Sequence, residues 1–340
     1  MKTLILLQVF IFALIDIAFS QKHIEDFEIR IPEQKLPNCL YKTIKFIDSR
    51  EDTSNLGIVL EDHGFSDSRT PVIAKTPLSL QLTNFLNFLT DSTAKNGELL
   101  FQIRKFNFVQ TSRAAWSKRY CFIRAELYSR QNEKYKKLAF IDTAMYNAGM
   151  NGTRNILKNA NTTIANFFFN SLSAGEANSD YYYTLSDISK IDSIEKTKIF
   201  VYNTAKYSDG LYSSYQSFMS QVPDKQINVK LNGKEISSVN TTNGNGELTS
   251  VSTKEIYAIV YQGRPYISTD YGYFPLEKMN GEFVFKGKGK ATSRDITPAA
   301  FGFGIIGVLL SSNVTATFEM QIDHVNGKII TLRQIKDDVE

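Results

Sequence analysis

LLFQIRKFNFVQTSRAAWSKRYCFIRAELYSRQNEKYKKLAFIDTAMYNA, residues 99–148, is the stretch on which the fold turns. Leu99–Gln110 is rich in phenylalanine, isoleucine and leucine and reads as a strand. Phe101, Ile103 and Val109 fall on one face, Phe106 and Phe108 on the other, so both faces are covered in part. Residues 113–130 alternate more cleanly. Tyr120, Phe122, Arg124 and Glu126 interleave with Cys121, Ile123, Ala125 and Leu127, the pattern of a half-buried strand. Lys134–Ala148 reads as its hairpin partner, with Asn132-Glu133-Lys134 at the corner.

Working outward, YKTIKFIDSRED (41–52) reads as a strand ending at Asp48, and Leu56–Leu60 as a short second strand. EDHGFSDSRTP (61–71) is rich in turn residues and reads as a loop. In TPLSLQLTNFLNFLTDS (76–92), Leu78, Leu82, Phe85, Leu86 and Leu89 recur at helical spacing. Thr76 is the expected cap and Pro77 the first turn. A second stripe, Ile156, Ile164, Phe167, Phe168 and Leu172, predicts a helix from Thr153 to Leu172. The fold class that follows is α+β, with a helix-backed antiparallel sheet over residues 41–175. Residues 176–198 are polar and mixed and read as a linker. Residues 199–336 are strand-rich, with corners at Gln262-Gly263, Asn280-Gly281 and Asn326-Gly327, and predict a second antiparallel domain, a meander, small barrel or sandwich. A short helix, SSYQSFMSQ, precedes it.

The 340-residue chain opens MKTLILLQVFIFALIDIAFSQ. Lys2, the apolar run Leu4–Ala18 and the small-x-small site Ala18-Phe19-Ser20 form a signal-peptide pattern. An uncleaved anchor is the alternative, but the run is short for a bilayer span. No cysteine follows it, so a lipid anchor is not expected. Residues 21–40, with Pro32 and Pro37, read as a lead-in segment. The net charge of +4 gives no nucleic-acid surface. The expected location is therefore outside the cytoplasm: periplasmic, associated with the outer membrane or secreted. Cys39 and Cys121 form a disulfide there or remain two separate buried thiols.

Two resemblances accompany this reading. IKFIDSRED, NLGIV, the SLQLTNFLNFL helix, LLFQIRKFNFV and RYCFIRAELYSR resemble the domain of uncharacterised bacterial envelope lipoproteins of the YajG type. The likeness covers residues 40–175 and rests on Asp48, Ser49 and Arg50 followed by Gly57 and Ile58. This chain lacks the lipidation cysteine. DGLYSSYQSFMSQVPD, KEIYAIVYQGRPYISTDYGYFPLEKMNGEFVF and IDHVNGKIITL are similar to uncharacterised exported proteins of Bacteroidetes, over residues 200–335. The resemblances imply an exported, two-domain envelope protein, with no settled activity in either family.

Chemistry-bearing patterns are sparse. His23, His63 and His324 lie far apart, no HExxH or C-x-x-C pattern occurs, and no metal or cofactor site is expected. Asp62, His63 and Ser66 or Ser68 are too close in sequence for a nucleophilic triad and lack a G-x-S-x-G elbow. Asp48, Glu51 and Asp52 cluster with Arg50, as the carboxylates of a glycosidase-like hydrolase would. The structural alternative is that Asp48 and Arg50 tie the strand end to the next loop. Asn243, Asn245 and Glu247 fall short of a calcium loop.

PAAFGFGIIGVLLSSNV (298–314) is apolar and glycine-rich but too short to span a bilayer as a helix. It reads as a buried cover for the second domain, as a partner or peripheral membrane contact through Ile305 and Leu309, or as the lining of an apolar cavity. Tyr266, Tyr271 and Tyr273 could supply an aromatic surface for peptide or glycan. An enzyme would need convergent polar groups, for instance Asp48 and Arg50 with Tyr257, Tyr261 and Tyr266. The expectation is a non-catalytic envelope protein that binds a protein or surface component; a peptide- or glycan-binding module and a carboxylate-based hydrolase are the alternatives.

Overall fold

The computed structural model describes residues 24–62, 67–113, 116–148, 151–175, 181–242, 244–290 and 315–335. The signal-peptide reading and the strip bearing Ile305 and Leu309 lie outside them. The chain is α+β and divides into two units. The first runs to Asn132 and resumes over Lys136–Tyr181; the second takes Glu133–Tyr135 and everything from Tyr182 on.

The first unit contains β1 (Glu25–Phe27), β2 (Tyr41–Asp48), β3 (Gly57–Asp62), β4 (Asp67–Ala74), α1 (Leu78–Leu89), β5 (Gly97–Arg113), β6 (Trp116–Gln131), β7 (Lys134–Ala148) and α2 (Gly152–Ser173). The strands lie in the order β1-β4-β3-β5-β6-β7, with β2 also on β5. β3–β4 and β5–β6 are antiparallel, but β1–β4, β2–β5 and β3–β5 are parallel, so the sheet is mixed. The expected loop at 61–71 is in part β4. The lead-in is part of the fold, since β1 pairs with β4 and Phe27 is buried in the core.

A register shift at Arg104 decides which face β5 buries. Ile103 pairs with Ala125 and Lys105 with Arg124, so Arg104 is an extra residue on its strand. Because side chains alternate with a period of two, one extra residue flips the parity. Leu99, Phe101 and Ile103 before the bulge, and Phe106 and Phe108 after it, all enter one core. The uninterrupted alternation had put Phe106 and Phe108 opposite Phe101. β6 is not half-buried: Cys121, Ile123, Ala125 and Leu127 face this core, while Arg124 and Glu126 are also buried. Arg104 Nη1 donates to Glu126 Oε1 at 2.6 Å, and Arg124 Nε to Asp142 Oδ1 at 2.9 Å. Burying polar groups is tolerable only with such partners.

Both helices bury the expected stripes, Leu78, Leu82, Phe85, Leu86 and Leu89 from α1, and Ile156, Ile164, Phe168 and Leu172 from α2, with Phe167 only partly buried against the core. The Phe168 ring lies 4.9 Å from Phe101 and 5.4 Å from Phe85, which locks both helices to the sheet. Thr76 does not cap α1; Pro77 occupies the cap position, without a side-chain bond. Instead Gln81, buried on the helix, donates to Thr76 O at 2.7 Å and accepts from Ile29 N at 2.7 Å, pinning the lead-in.

The second unit begins with β8 (Tyr182–Tyr183), α3 (Leu185–Ser189), α4 (Ile191–Thr197) and α5 (Phe200–Asn203). The segment read as a linker to residue 198 therefore folds, with Ile188 and Ile191 buried. β9 (Gly210–Tyr212), α6 (Tyr215–Ser220), β10 (Asn228–Asn232), β11 (Glu235–Thr242), β12 (Leu248–Ser250), β13 (Ala258–Tyr261), β14 (Arg264–Thr269), β15 (Gly272–Pro275), β16 (Glu277–Met279), β17 (Glu282–Lys290), β18 (Thr315–Ile322) and β19 (Ile329–Ile335) follow. They form the antiparallel sheets β15-β14-β13-β9, β10-β11-β12 and β16-β17-β18-β19. Gln262-Gly263 and Asn280-Gly281 have positive φ at both positions, the two-residue hairpin turn read from the sequence. Tyr202, Tyr212, Phe218, Phe283 and Phe318 form the main core. Among the described residues, no helix is long and apolar enough to cross a membrane.

Candidate functional site

β2 and β3 share one edge of β5. β2 pairs with Gly97–Ile103 and β3 with Phe108–Val109, both parallel to it. Between them the chain leaves the sheet. Ser49 N still donates to Ile103 O at 2.8 Å, and contact resumes where Phe108 N donates to Leu56 O at 2.7 Å. Arg50 fills the gap. Its Nε and Nη2 donate to Asp48 Oδ1 and Oδ2 at 2.8 and 2.7 Å, and its Nη1 to Asn55 O at 2.7 Å and Phe106 O at 3.4 Å. The strand end is thus tied both to the excursion and to β5. Gly57 closes the excursion with φ of +115°; a Cβ there would lie 2.1 Å from Phe108 O.

This interruption opens a cleft of about 430 Å³. One wall is the end of β2, with Phe46, Asp48 and Arg50; the other is the end of β4, with Ile73 and Lys75; Leu78 lines it at the start of α1. At this level Ile73 and Ala74 pair with Asp26 and Phe27 of β1, while Leu56 N reaches Val72 O. Thr53 and Ser54 form the rim. Ser54 donates through N and Oγ to Asp52 Oδ1 at 2.8 and 2.6 Å, holding the Asp52 carboxyl below its ordinary value. Lys75 donates to Glu28 at 2.9 Å, and this partner raises its ammonium above its ordinary value. The cleft contains apolar walls, hydroxyls and charges that already have partners. Among its described lining residues, the Ser54 hydroxyl is engaged with the Asp52 carboxylate within its own turn.

The aromatic candidates do not form an exposed platform. Tyr266 and Tyr273 pack against the cluster of Leu211, Ile236, Val239, Ile256 and Ile259, and burial raises the Tyr273 hydroxyl. Tyr271 is exposed at the β14–β15 corner. Cys39 and Cys121 are buried and free, without a disulfide. Burial pushes both thiols up, Cys121 well above its ordinary value.

Sequence separation concealed another group, in the second unit. α4 carries Asp192 and Glu195 one turn apart, and the turn after β18 brings His324 to them across 129 positions. Their ligating atoms lie within 4.8 Å of one another. His324 is buried, its Nε2 3.2 Å from Glu195 Oε2 and 3.7 Å from Asp192 Oδ1. Three tyrosines surround the turn: Tyr215 Oη donates to His324 O at 2.7 Å, Tyr257 Oη donates to Gly327 O at 2.8 Å, and the Tyr202 ring stands edge-on to the imidazole at 6.5 Å. Burial pushes all three phenols up. The sequence signal was an i, i+3 carboxylate pair on a short helix, which alone is commonplace.

No family model matches the chain. No curated protein matches it either. Among solved structures it is similar to protein XCC0632 from Xanthomonas campestris, described as DUF330, at 10% identity and a TM-score of 0.29, over 44% of this chain and 95% of that one.

Proposed function

We propose that this protein is an exported, non-catalytic binding protein of the cell envelope, and that the cleft between β2 and β4 receives a short extended segment of a partner polypeptide. The observation that carries this reading is the arrangement of Asp48 and Arg50. The two charges are engaged with each other, and Arg50 also donates to Asn55 O, leaving the cleft shape, hydroxyls and apolar walls rather than reactive groups. The volume falls within the range of ligand pockets. Strand ends on both walls suit an extended peptide, which is held by main-chain bonds and selected by side-chain pockets. The leader pattern supports export.

The test is a random peptide library panned against the chain without residues 1–20. Selected peptides should lose binding to S54R and T53W, which fill the cleft from its rim without touching the core. Peptides that bind these variants as well as the parent would place recognition elsewhere. Cleavage of a bound peptide would make the protein an enzyme and end the reading.

A further inference from the structure

We propose that Asp192, Glu195 and His324 form a binding site for a first-row divalent transition metal, of which zinc is the probe tested below. The site stands on the second unit alone and is independent of the peptide cleft. Its ligand set mixes one imidazole nitrogen with carboxylate oxygens, a combination that suits zinc and its neighbours; calcium and magnesium prefer oxygen alone.

The spacing fits. A cation roughly 2.1 Å from each of several tetrahedrally placed ligands holds them about 3.4 Å apart. Here His324 Nε2 stands 3.2 Å from one carboxylate oxygen and 3.7 Å from the other. Two carboxylates and one imidazole nitrogen converge on a single point, and a divalent cation there would offset the mutual repulsion of the carboxylates.

The imidazole is also held in advance. The turn from Asp323 to Lys328 is closed by Asp323 N donating to Lys328 O at 2.8 Å and Gly327 N to Asp323 O at 2.7 Å. Gly327 has φ of +72°, and a Cβ on it would meet the Tyr215 ring at 2.2 Å, so the turn is seated directly on that ring. With the Tyr215 and Tyr257 hydroxyls on its carbonyls, it presents His324 rigidly, as ligand sites require. The carboxylates differ: Glu195 is mostly covered, whereas Asp192 is 59% exposed. Three protein ligands with one open flank leave a coordination position to solvent, the form of an exchangeable site rather than a closed structural one.

The experiment is calorimetric titration of zinc chloride into the tag-free chain lacking residues 1–20, after chelator treatment. One zinc per chain is expected, with a rise in melting temperature. D192N/E195Q and H324Q should each weaken binding at least 10-fold. H23N/H63N, which removes the other two histidines, should leave it intact. Asp192 lies at the surface, so D192N alone reports on the site even if H324Q fails to fold. Absence of zinc binding by the parent, or binding undiminished in D192N/E195Q, overturns the proposal.

Discussion

Arg50 holds Asp48 through two parallel hydrogen bonds, Nε to Oδ1 at 2.8 Å and Nη2 to Oδ2 at 2.7 Å, while its third nitrogen reaches Asn55 O. The fork geometry requires a planar guanidinium. The Arg50 side chain is 7% exposed and Asp48 21%, so solvent replaces little of what a substitution removes. R50A is expected to cost about 3 kcal/mol, because it leaves the mostly covered Asp48 carboxylate without its partner. R50K should lose nearly as much, since an ammonium cannot bridge both carboxylate oxygens and Asn55 together. Urea denaturation measures both. An R50K midpoint equal to the parent's would show that only the charge matters.

Gly57 and Gly233 separate backbone strain from steric exclusion. Both have positive φ, +115° and +63°. At Gly233 nothing lies within 4 Å of an added Cβ; at Gly57 three backbone or side-chain atoms of Asn107 and Phe108 lie within 2.5 Å. G233A should therefore cost about 1 kcal/mol, the conformational penalty alone. G57A adds a clash with the β5 backbone and should cost about 3 kcal/mol or more. Equal losses would mean that β3 can shift away from β5, which the parallel pairing of Gly57 with Phe108 argues against.

The same two strands show what the sequence discloses. The helical stripes of α1 and α2 were legible because a period near 3.6 over more than three turns has few competing explanations. The β6–β7 hairpin was legible from alternation and its Asn132 corner. The face buried by β5 was not, because the bulge at Arg104 changes parity without leaving a Gly or Pro behind. β4 was hidden by Asp67, Ser68 and Pro71, turn-forming residues that here sit in a strand between β1 and β3. Asp48 and Arg50 were visible as neighbours in sequence. The Asp192–Glu195–His324 group was not, since tertiary structure alone closes that distance.

Stability should fall at both ends of the pH scale. Asp187 accepts from Thr184 N and Oγ1 at 2.7 and 2.8 Å, and Asp224 from Ser213 N and Oγ at 2.7 and 2.8 Å. These bonds favour the ionised form and lower both carboxyls below 3.8. A depressed acid contributes stability that is complete above its unfolded value and is lost as pH falls through the folded one. The loss therefore lies below 3.8, and D187N and D224N should each flatten it. At the alkaline end, burial raises Tyr120 and Tyr212 from 10.0 to about 12. The folded state then holds protons that the unfolded chain releases, so stability is intact below pH 10 and declines between 10 and about 12. Urea midpoints across pH check both limbs. A D187N profile superimposable on the parent's in acid would remove Asp187 from the account.

Cys39 and Cys121 give the last prediction. Both lie in the core that α1 and α2 cover, at 3% and 0% exposure, and neither is bonded to the other. Desolvation holds each thiol above its ordinary value, so at neutral pH the reactive thiolate is scarce and enclosed. A thiol probe should label neither residue in the folded protein and both after unfolding, and labelling should follow the urea transition. A reducing agent should leave the melting temperature unchanged, even for protein recovered from an oxidising compartment. Persistence of the free pair there follows from burial: an exchange reaction needs access as well as a thiolate. A shift in electrophoretic mobility on reduction, or fewer than two thiols titrated in denaturant, would show that the core closes around a bridge instead.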